Sequence, residues 1–158
     1  SQSAQGVDPS FADRDKSTWA VFPSDTVHVG RKIDPPPILR VPKTLKYADG
    51  TKHTECCVIV FLVDGNNNYG ALDGAMAHSE KTVKYSPNPS EDFKVRYFSF
   101  KNLKINTPGY WELGFSIMGN TEEGVECLET FRLPITSVPS TEAIAARSLS
   151  PSEQNILG

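Results

Sequence analysis

A chain of 158 residues is long enough for one domain with a buried core and too short for two ordinary ones. Its formal net charge of −3 excludes a whole-molecule field that draws in nucleic acid, so any polyanion site must be a local patch. No stretch approaches the roughly 18 apolar residues of a membrane-spanning helix, and 3 cysteines, Cys56, Cys57 and Cys127, make a poor disulfide framework.

Residues 1–17 and 139–158 are polar and rich in Ser, Pro, Gln and Ala. They read as a flexible N-terminal arm and a C-terminal tail around a domain spanning 18–138. The arm carries no basic-then-apolar leader pattern. Neighbouring strand residues point to opposite faces, so Cys56 and Cys57 should not bridge each other and reduced thiols are expected. Both points favour nucleus and cytoplasm.

Within the domain, turn signals punctuate short β-type runs. "WAVF" (19–22) and "TVHV" (26–29) are separated by Pro23-Ser24-Asp25, and "ILRV" (38–41) follows three prolines. "LKY" (45–47) is expected to meet "TECCVIVFLV" (54–63) across the tight turn Asp49-Gly50. The second run is apolar on both parities, the pattern of a central strand covered on both faces. "DGNNN" (64–68) is a loop, and "YGALDGAMAHSEKTVKY" (69–85) is compatible with a short helix or a flat strand.

After the loop "SPNPSED" (86–92), "FKVRYFSF" (93–100) places Phe93, Val95 and Tyr97 on one parity and Phe98 and Phe100 on the other. Such a phase switch predicts a β-bulge. "TPGYWELGFSIM" (107–118) puts Trp111, Leu113, Phe115 and Ile117 on one face and Tyr110, Glu112, Gly114 and Ser116 on the other. "NTEEG" (120–124) turns the chain, and Val125, Cys127, Phe131, Leu133 and Ile135 alternate again, with Glu129 the exception. Many short strands with little helix between them predict an antiparallel β-sandwich. "SPSE" (150–153) supplies an N-cap serine, a proline at the first helical position and a glutamate after it, which predicts a short terminal helix ending in Ile156 and Leu157. That helix can dock on the domain or on a partner.

Catalysis has little support. His28, His53 and His78 lie in different segments, and no metalloprotease, paired-cysteine zinc, nucleophile-elbow or phosphate-loop spacing occurs. A pairing of His53 with Cys56 or Cys57 competes with a surface histidine ahead of a strand. Asp64 to Asn68 offer oxygen ligands for calcium but lack the acidic residue that closes such a loop. The expectation is no catalytic residue, no metal, no cofactor and no small-molecule substrate.

The loaded segment is "VGRKIDPPPILRV" (29–41). Pro35 to Pro37 fix φ near −65° and donate no backbone hydrogen, so they form a stiff extended rod at an edge or between elements. Gly30 lets the preceding turn bend, and Arg31 and Lys32 sit on it. Cations on a rigid loop tip meet phosphate oxygens at a reduced entropic cost. Asp34 is placed either to accept backbone N–H bonds in the turn or to pair with Arg31. Lys43, Lys46 and Lys52 are cations that could extend this positive surface.

"GRKIDPPPILRV" resembles the segment of the velvet family of fungal regulators in which a basic stretch runs into three prolines and a strand. "YGALDGAMAHSEKTV" is similar to the family's Leu-x-Gly-x-x-x-x-Ser piece through Leu72, Gly74 and Ser79. "YFSFKNLKINTPGYWELGFSIM" resembles its aromatic strand, turn and Gly-aromatic-x-Leu-x-Phe strand at Tyr97, Phe98, Phe100, Leu103, Ile105, Gly109, Tyr110, Leu113 and Phe115. "CLETFRLPITSVPSTEAI" resembles the strand and proline-bearing exit that follow, so the likeness spans roughly residues 19 to 145 in the family's order.

The resemblance implies an immunoglobulin/Rel-like β-sandwich and a DNA-binding transcriptional regulator. It also implies a homodimer, or a heterodimer with another velvet-like regulator. DNA contact carries over to Gly30, Arg31 and Lys32. The family's loop is longer and more basic than "VFPSDTVHVGRK", so DNA contact here is expected to be weak or dimer-dependent, each phosphate contact adding about 0.9 to the salt slope. Two other readings stay open: a dimerisation module of the same fold that never touches DNA, and an extracellular immunoglobulin-like binding module. A Cys127 bridge to Cys56 or Cys57 would favour the last, as would a sugar platform of Trp19, Tyr110 and Trp111.

Overall fold

The computed structural model describes residues 17–42, 45–46, 52–53, 56–74, 76–77, 81–85, 93–121 and 124–157. These residues form an all-β fold with one short C-terminal helix. The strands in chain order are β1 (Thr18–Val21), β2 (Thr26–His28), β3 (Ile38–Pro42), β4 (Leu45–Lys46), β5 (Lys52–His53), β6 (Cys56–Val63) and β7 (Leu72–Asp73). They continue as β8 (Met76–Ala77), β9 (Lys81–Tyr85), β10 (Phe93–Ser99), β11 (Lys104–Ile105), β12 (Gly109–Thr121) and β13 (Gly124–Val138), followed by helix α1 (Pro151–Leu157).

A four-stranded sheet runs β1-β3-β10-β9, and a five-stranded sheet runs β2-β13-β12-β6-β8. Two-stranded ribbons β4-β5 and β7-β11 complete the pairing. Both large sheets feed one core. Leu39, Val41 and Phe98 enter it from the first, and Val58, Val60, Leu62, Leu113, Phe115, Ile117 and Ile135 from the second. Trp19 meets Phe115 edge-on at 4.7 Å and Phe100 meets Phe115 at 5.1 Å, so one aromatic cluster bridges the sheets. Each such side chain withdrawn from water contributes about 1.5–3 kcal/mol.

The alternation of "TPGYWELGFSIM" holds along β12: Leu113, Phe115 and Ile117 are fully buried, whereas Tyr110 and Glu112 are exposed. Trp111 is half-buried against the core and donates its Nε1–H to Ser137 Oγ at 3.1 Å. The segment 69–85 contributes strands β7, β8 and β9. At the C-terminus Ser150 and Glu153 form a reciprocal capping box, Glu153 N to Ser150 Oγ at 3.2 Å and Ser150 N to Glu153 Oε1 at 3.0 Å. The helix docks on β1 through the Glu153 carboxylate.

Several expectations are corrected. The pairing is not purely antiparallel, because β2 runs parallel to the end of β13, Thr26 opposite Thr136 and His28 opposite Val138. Leu45 and Lys46 pair with Lys52 and His53, not with the long apolar run. That run, β6, is covered along one face, where Val58, Val60 and Leu62 are buried, and only in part along the other, where Cys57 and Ile59 are exposed, Phe61 is half-buried and Val63 is buried. The Phe61 ring fills the space above Gly114, and the Arg132 guanidinium caps that ring at 5.4 Å.

The register shifts lie in β1, between Trp19 and Val21, and in β13, not in β10. Strand β10 keeps an unbroken register with β3 and β9. Its phase switch arises because Arg96 occupies the inward parity with Phe98 and Phe100, its guanidinium 5.9 Å over the Phe98 ring and its stem buried. In β13 the register shifts between Ile117–Glu129 and Met118–Cys127, leaving Leu128 as the extra residue. Val125 and Cys127 therefore turn outward, and Glu129 turns inward with Phe131 and Leu133. The Asp49-Gly50 turn, the 86–92 loop and residues 1–16 lie outside the described residues.

Candidate functional site

The segment 29–37 is tied to the fold on both sides. Val29 N donates to Val138 O at 2.9 Å, Gly30 N to Ile105 O at 2.8 Å and Ile33 N to Leu103 O at 2.9 Å. Gly30 takes φ +74°, where a side chain is strained, and this reverses the chain between two of those bonds. Ile33 is 2% exposed and anchors the loop in the core. Arg31 and Lys32, between the anchors, are both exposed. After them Pro35 and Pro37 are buried and carry no strand pairing, and Pro37 O accepts Phe100 N at 3.0 Å. The Asp34–Pro35 peptide bond is cis.

Among the described residues, neither Arg31 nor Lys32 forms an ion pair. Arg31 Nη2 donates to Ser140 O at 3.5 Å, and Asp34 contributes its backbone oxygen, which accepts Ser24 Oγ at 3.4 Å. The Arg31–Asp34 pairing is therefore not formed. Lys32 sits in an isolated β-bridge opposite Lys104, so a third cation joins the patch. The carboxylate opposite Lys104 in register, Asp73, accepts Asn106 Nδ2 at 2.9 Å. Sequence reasoning missed Lys104 because its approach to Lys32 depends on β11 pairing far along the chain. Lys46 and Lys52 fall on the β4-β5 ribbon, and Lys43 lies outside the described residues.

The C-terminal tail passes beside this loop. His28 Nε2–H donates to Glu142 O at 2.5 Å, and Arg31 reaches Ser140 O. Between loop and tail lies a cleft of about 430 Å³, with His28, Arg31 and Lys32 on one wall and Ile144, Leu149 and Leu157 on the other. Arg147 also borders it: its Nη2 pairs with Glu153, which is 1% exposed, while among the described residues its buried Nη1 has no hydrogen-bond partner.

The remaining candidates separate from this region. Asp64 Oδ1 accepts Asn66 N at 2.8 Å and Asn68 N at 2.9 Å, and the backbone N–H groups of Asn68 and Asn66 hold its carboxyl below the usual range. This is a side-chain-closed turn with Asn67 at φ +62°. Cys57 and Cys127 are free thiols, each opposite Met118 on the outer face of the five-stranded sheet. Trp19 is buried and Tyr110 is 84% exposed, so the two do not form a shared platform. The side chains of His53 and Cys56, and all of His78 and Ser79, lie outside the described residues. No helix among the described residues is long and apolar enough to cross a membrane. Compared with protein-family models and with curated proteins, the chain matches none.

Proposed function

We propose that this chain is a binding domain, not a catalyst, and that it acts as a velvet-like transcriptional regulator contacting DNA through Arg31 and Lys32. The observation that carries the reading is the exposure of both cations, unpaired by carboxylate among the described residues, on a loop pinned by backbone bonds on either side. A pinned cation loses little conformational freedom on meeting a phosphate, so its contact is stronger than that of a lysine on a loose arm. Lys104 beside Lys32 adds to the same local potential.

The proposed architecture is an immunoglobulin/Rel-like β-sandwich, supported by two large sheets that share one core. The proposed site of action is nucleus and cytoplasm. With a net charge of −3 the lone domain holds DNA weakly, and a second subunit supplies avidity by presenting a second patch. Anisotropy of labelled genomic fragments at low and moderate salt, alongside light scattering, tests this. A salt-dependent complex of dimer and DNA that is lost in the Arg31→Ala/Lys32→Ala double variant is the expected result. Salt-independent binding, or full binding by the double variant, overturns it.

One observation favours a second reading, a dimerisation module without DNA contact. Ile59 and Val125 are exposed on the outer face of the five-stranded sheet and offer two separate apolar anchors for protein association. A dimer that gives no DNA complex at low salt selects that reading.

A further inference from the structure

We infer that the cleft between the basic loop and the C-terminal tail binds a small amphipathic monoanion, an apolar body ending in a carboxylate or comparable acid group. This goes beyond DNA contact and does not depend on it. The cleft measures about 430 Å³. Pockets of ~300–1,000 Å³ enclose most of a small organic ligand.

Its two walls differ in chemistry. The loop wall presents the Arg31 and Lys32 side chains with Thr26 and Ser24. The tail wall presents Ile144, Leu149 and Leu157, and Leu157 remains 37% exposed. A ligand with one charged end and one apolar end satisfies both walls; a duplex backbone, charged along its length, would leave the apolar wall unmatched. Charge fixes the valence. The Glu153 carboxylate offsets the Arg147 charge through Nη2, although Arg147 Nη1 is buried without a hydrogen-bond partner, and among the described residues Arg31 and Lys32 face the one lining carboxylate of Asp34. That excess suits one negative charge better than two.

Both walls are held before any ligand arrives. The loop is fixed by the bonds from Gly30 and Ile33 to Ile105 and Leu103. The tail is fixed at its start by His28 on Glu142 O and at its end by Glu153 on Phe22 N. A preorganised cleft spends little ordering entropy on its ligand.

Decanoate, decanol and inorganic phosphate are titrated separately into the full chain. Calorimetry gives affinity, and backbone amide shifts locate the site. Decanoate is expected to saturate one site, shifting amides of Arg31, Lys32 and residues 144–149, with decanol weaker by about tenfold or more and phosphate not saturating. Two variants should each weaken decanoate by about tenfold while remaining folded, Arg31→Gln/Lys32→Gln by removing the head-group partners and Ala146→Trp by filling the cleft. Ala146 is exposed, so the larger ring does not disturb the core.

No saturable decanoate binding overturns the inference, as do equal affinities for decanol and decanoate or shifts that map elsewhere. Phosphate saturation at the affinity of decanoate points to a simple phosphate site and overturns it too. So does unchanged decanoate affinity in Ala146→Trp. Binding to phosphatidylserine vesicles without binding free decanoate identifies a membrane surface instead of an enclosed ligand, and likewise overturns it. Because no DNA enters these titrations, their failure leaves the DNA reading standing, and the reverse holds as well.

Discussion

Glu153 Oε2 accepts the backbone N–H of Phe22 at 3.2 Å, joining the terminal helix to the end of the first strand across 131 residues of chain. The same carboxylate takes the Arg147 guanidinium and the Ser150 backbone N–H, and it is 1% exposed. Burial by itself would raise its pKa. The hydrogen bonds from Arg147, Ser150 and Phe22, with the Arg147 charge, outweigh that and hold it below the ordinary value of 4.5.

A depressed carboxyl pKa stabilises the folded state above the unfolded-state value, and that contribution is lost as pH falls through the folded-state value. Glu153→Ala is therefore expected to lose about 3 kcal/mol at neutral pH, since it leaves Arg147 and the Phe22 amide without their acceptor. Glu153→Gln should lose less, and its deficit relative to the native chain should shrink below the usual glutamate range. Urea unfolding at neutral and acidic pH measures both. Equal stability of Glu153→Ala and the native chain at neutral pH would show that the helix does not hold the tail.

Glu129 behaves oppositely. The bulge at Leu128 turns it inward opposite Ile117, and burial pushes its carboxyl up from the ordinary value of 4.5. A raised carboxyl pKa costs stability as pH climbs from the unfolded-state value through the folded one, and the cost persists above it. Glu129→Gln should accordingly be more stable than the native chain at neutral pH and no more stable well below the glutamate range. A denaturation series across that interval shows the crossover; a neutral variant that loses stability at pH 7 would refute it.

Local features were legible in the sequence and non-local ones were not. The β12 alternation and the Ser150–Glu153 capping box are properties of adjacent residues, and both appear where the pattern put them. The bulge was misplaced because odd-numbered residues from Val125 to Ile135 keep one apparent parity, and only the register against β12 shows that Leu128 breaks it. Arg96 misled for the complementary reason, as a cation on an inward position reads as an outward one. For the candidate site, Gly30, Arg31 and Lys32 stood out beside the prolines. Lys104, His28 and the tail wall did not, because Lys32–Lys104 and Arg31–Ser140 join distant parts of the chain.

Two glycines with similar φ should respond differently to alanine. Gly30 at φ +74° has nothing within 4 Å of an added Cβ, whereas a Cβ at Gly74, φ +76°, would lie 2.3 Å from the backbone oxygen of Asn102. Gly30→Ala bears only the left-handed backbone penalty, about 1–2 kcal/mol. Gly74→Ala must also displace the turn leading into Leu103, whose carbonyl holds Ile33 N, and should cost about 2–4 kcal/mol in all. Chemical denaturation orders the two. Equal losses would mean that the Asn102 turn yields freely.

Loop chemistry and loop anchoring should separate by mutation. Arg31 and Lys32 are exposed, and among the described residues their side chains make one hydrogen bond, the 3.5 Å contact from Arg31 to Ser140 O. The Arg31→Ala/Lys32→Ala double variant should therefore stay within about 0.5 kcal/mol of native stability, while lowering the log–log salt slope of DNA binding by about 1.8 per subunit. Ile33 is 2% exposed and belongs to the core cluster, so Ile33→Ala should cost about 2–4 kcal/mol and release the loop. Thermal unfolding paired with binding isotherms at graded salt reads both effects. If the double variant unfolds early, the cations are structural, and its loss of DNA binding would say nothing about phosphate contact. If Ile33→Ala keeps full stability, the loop is not anchored through the core, and the rigidity that favours phosphate contact is absent.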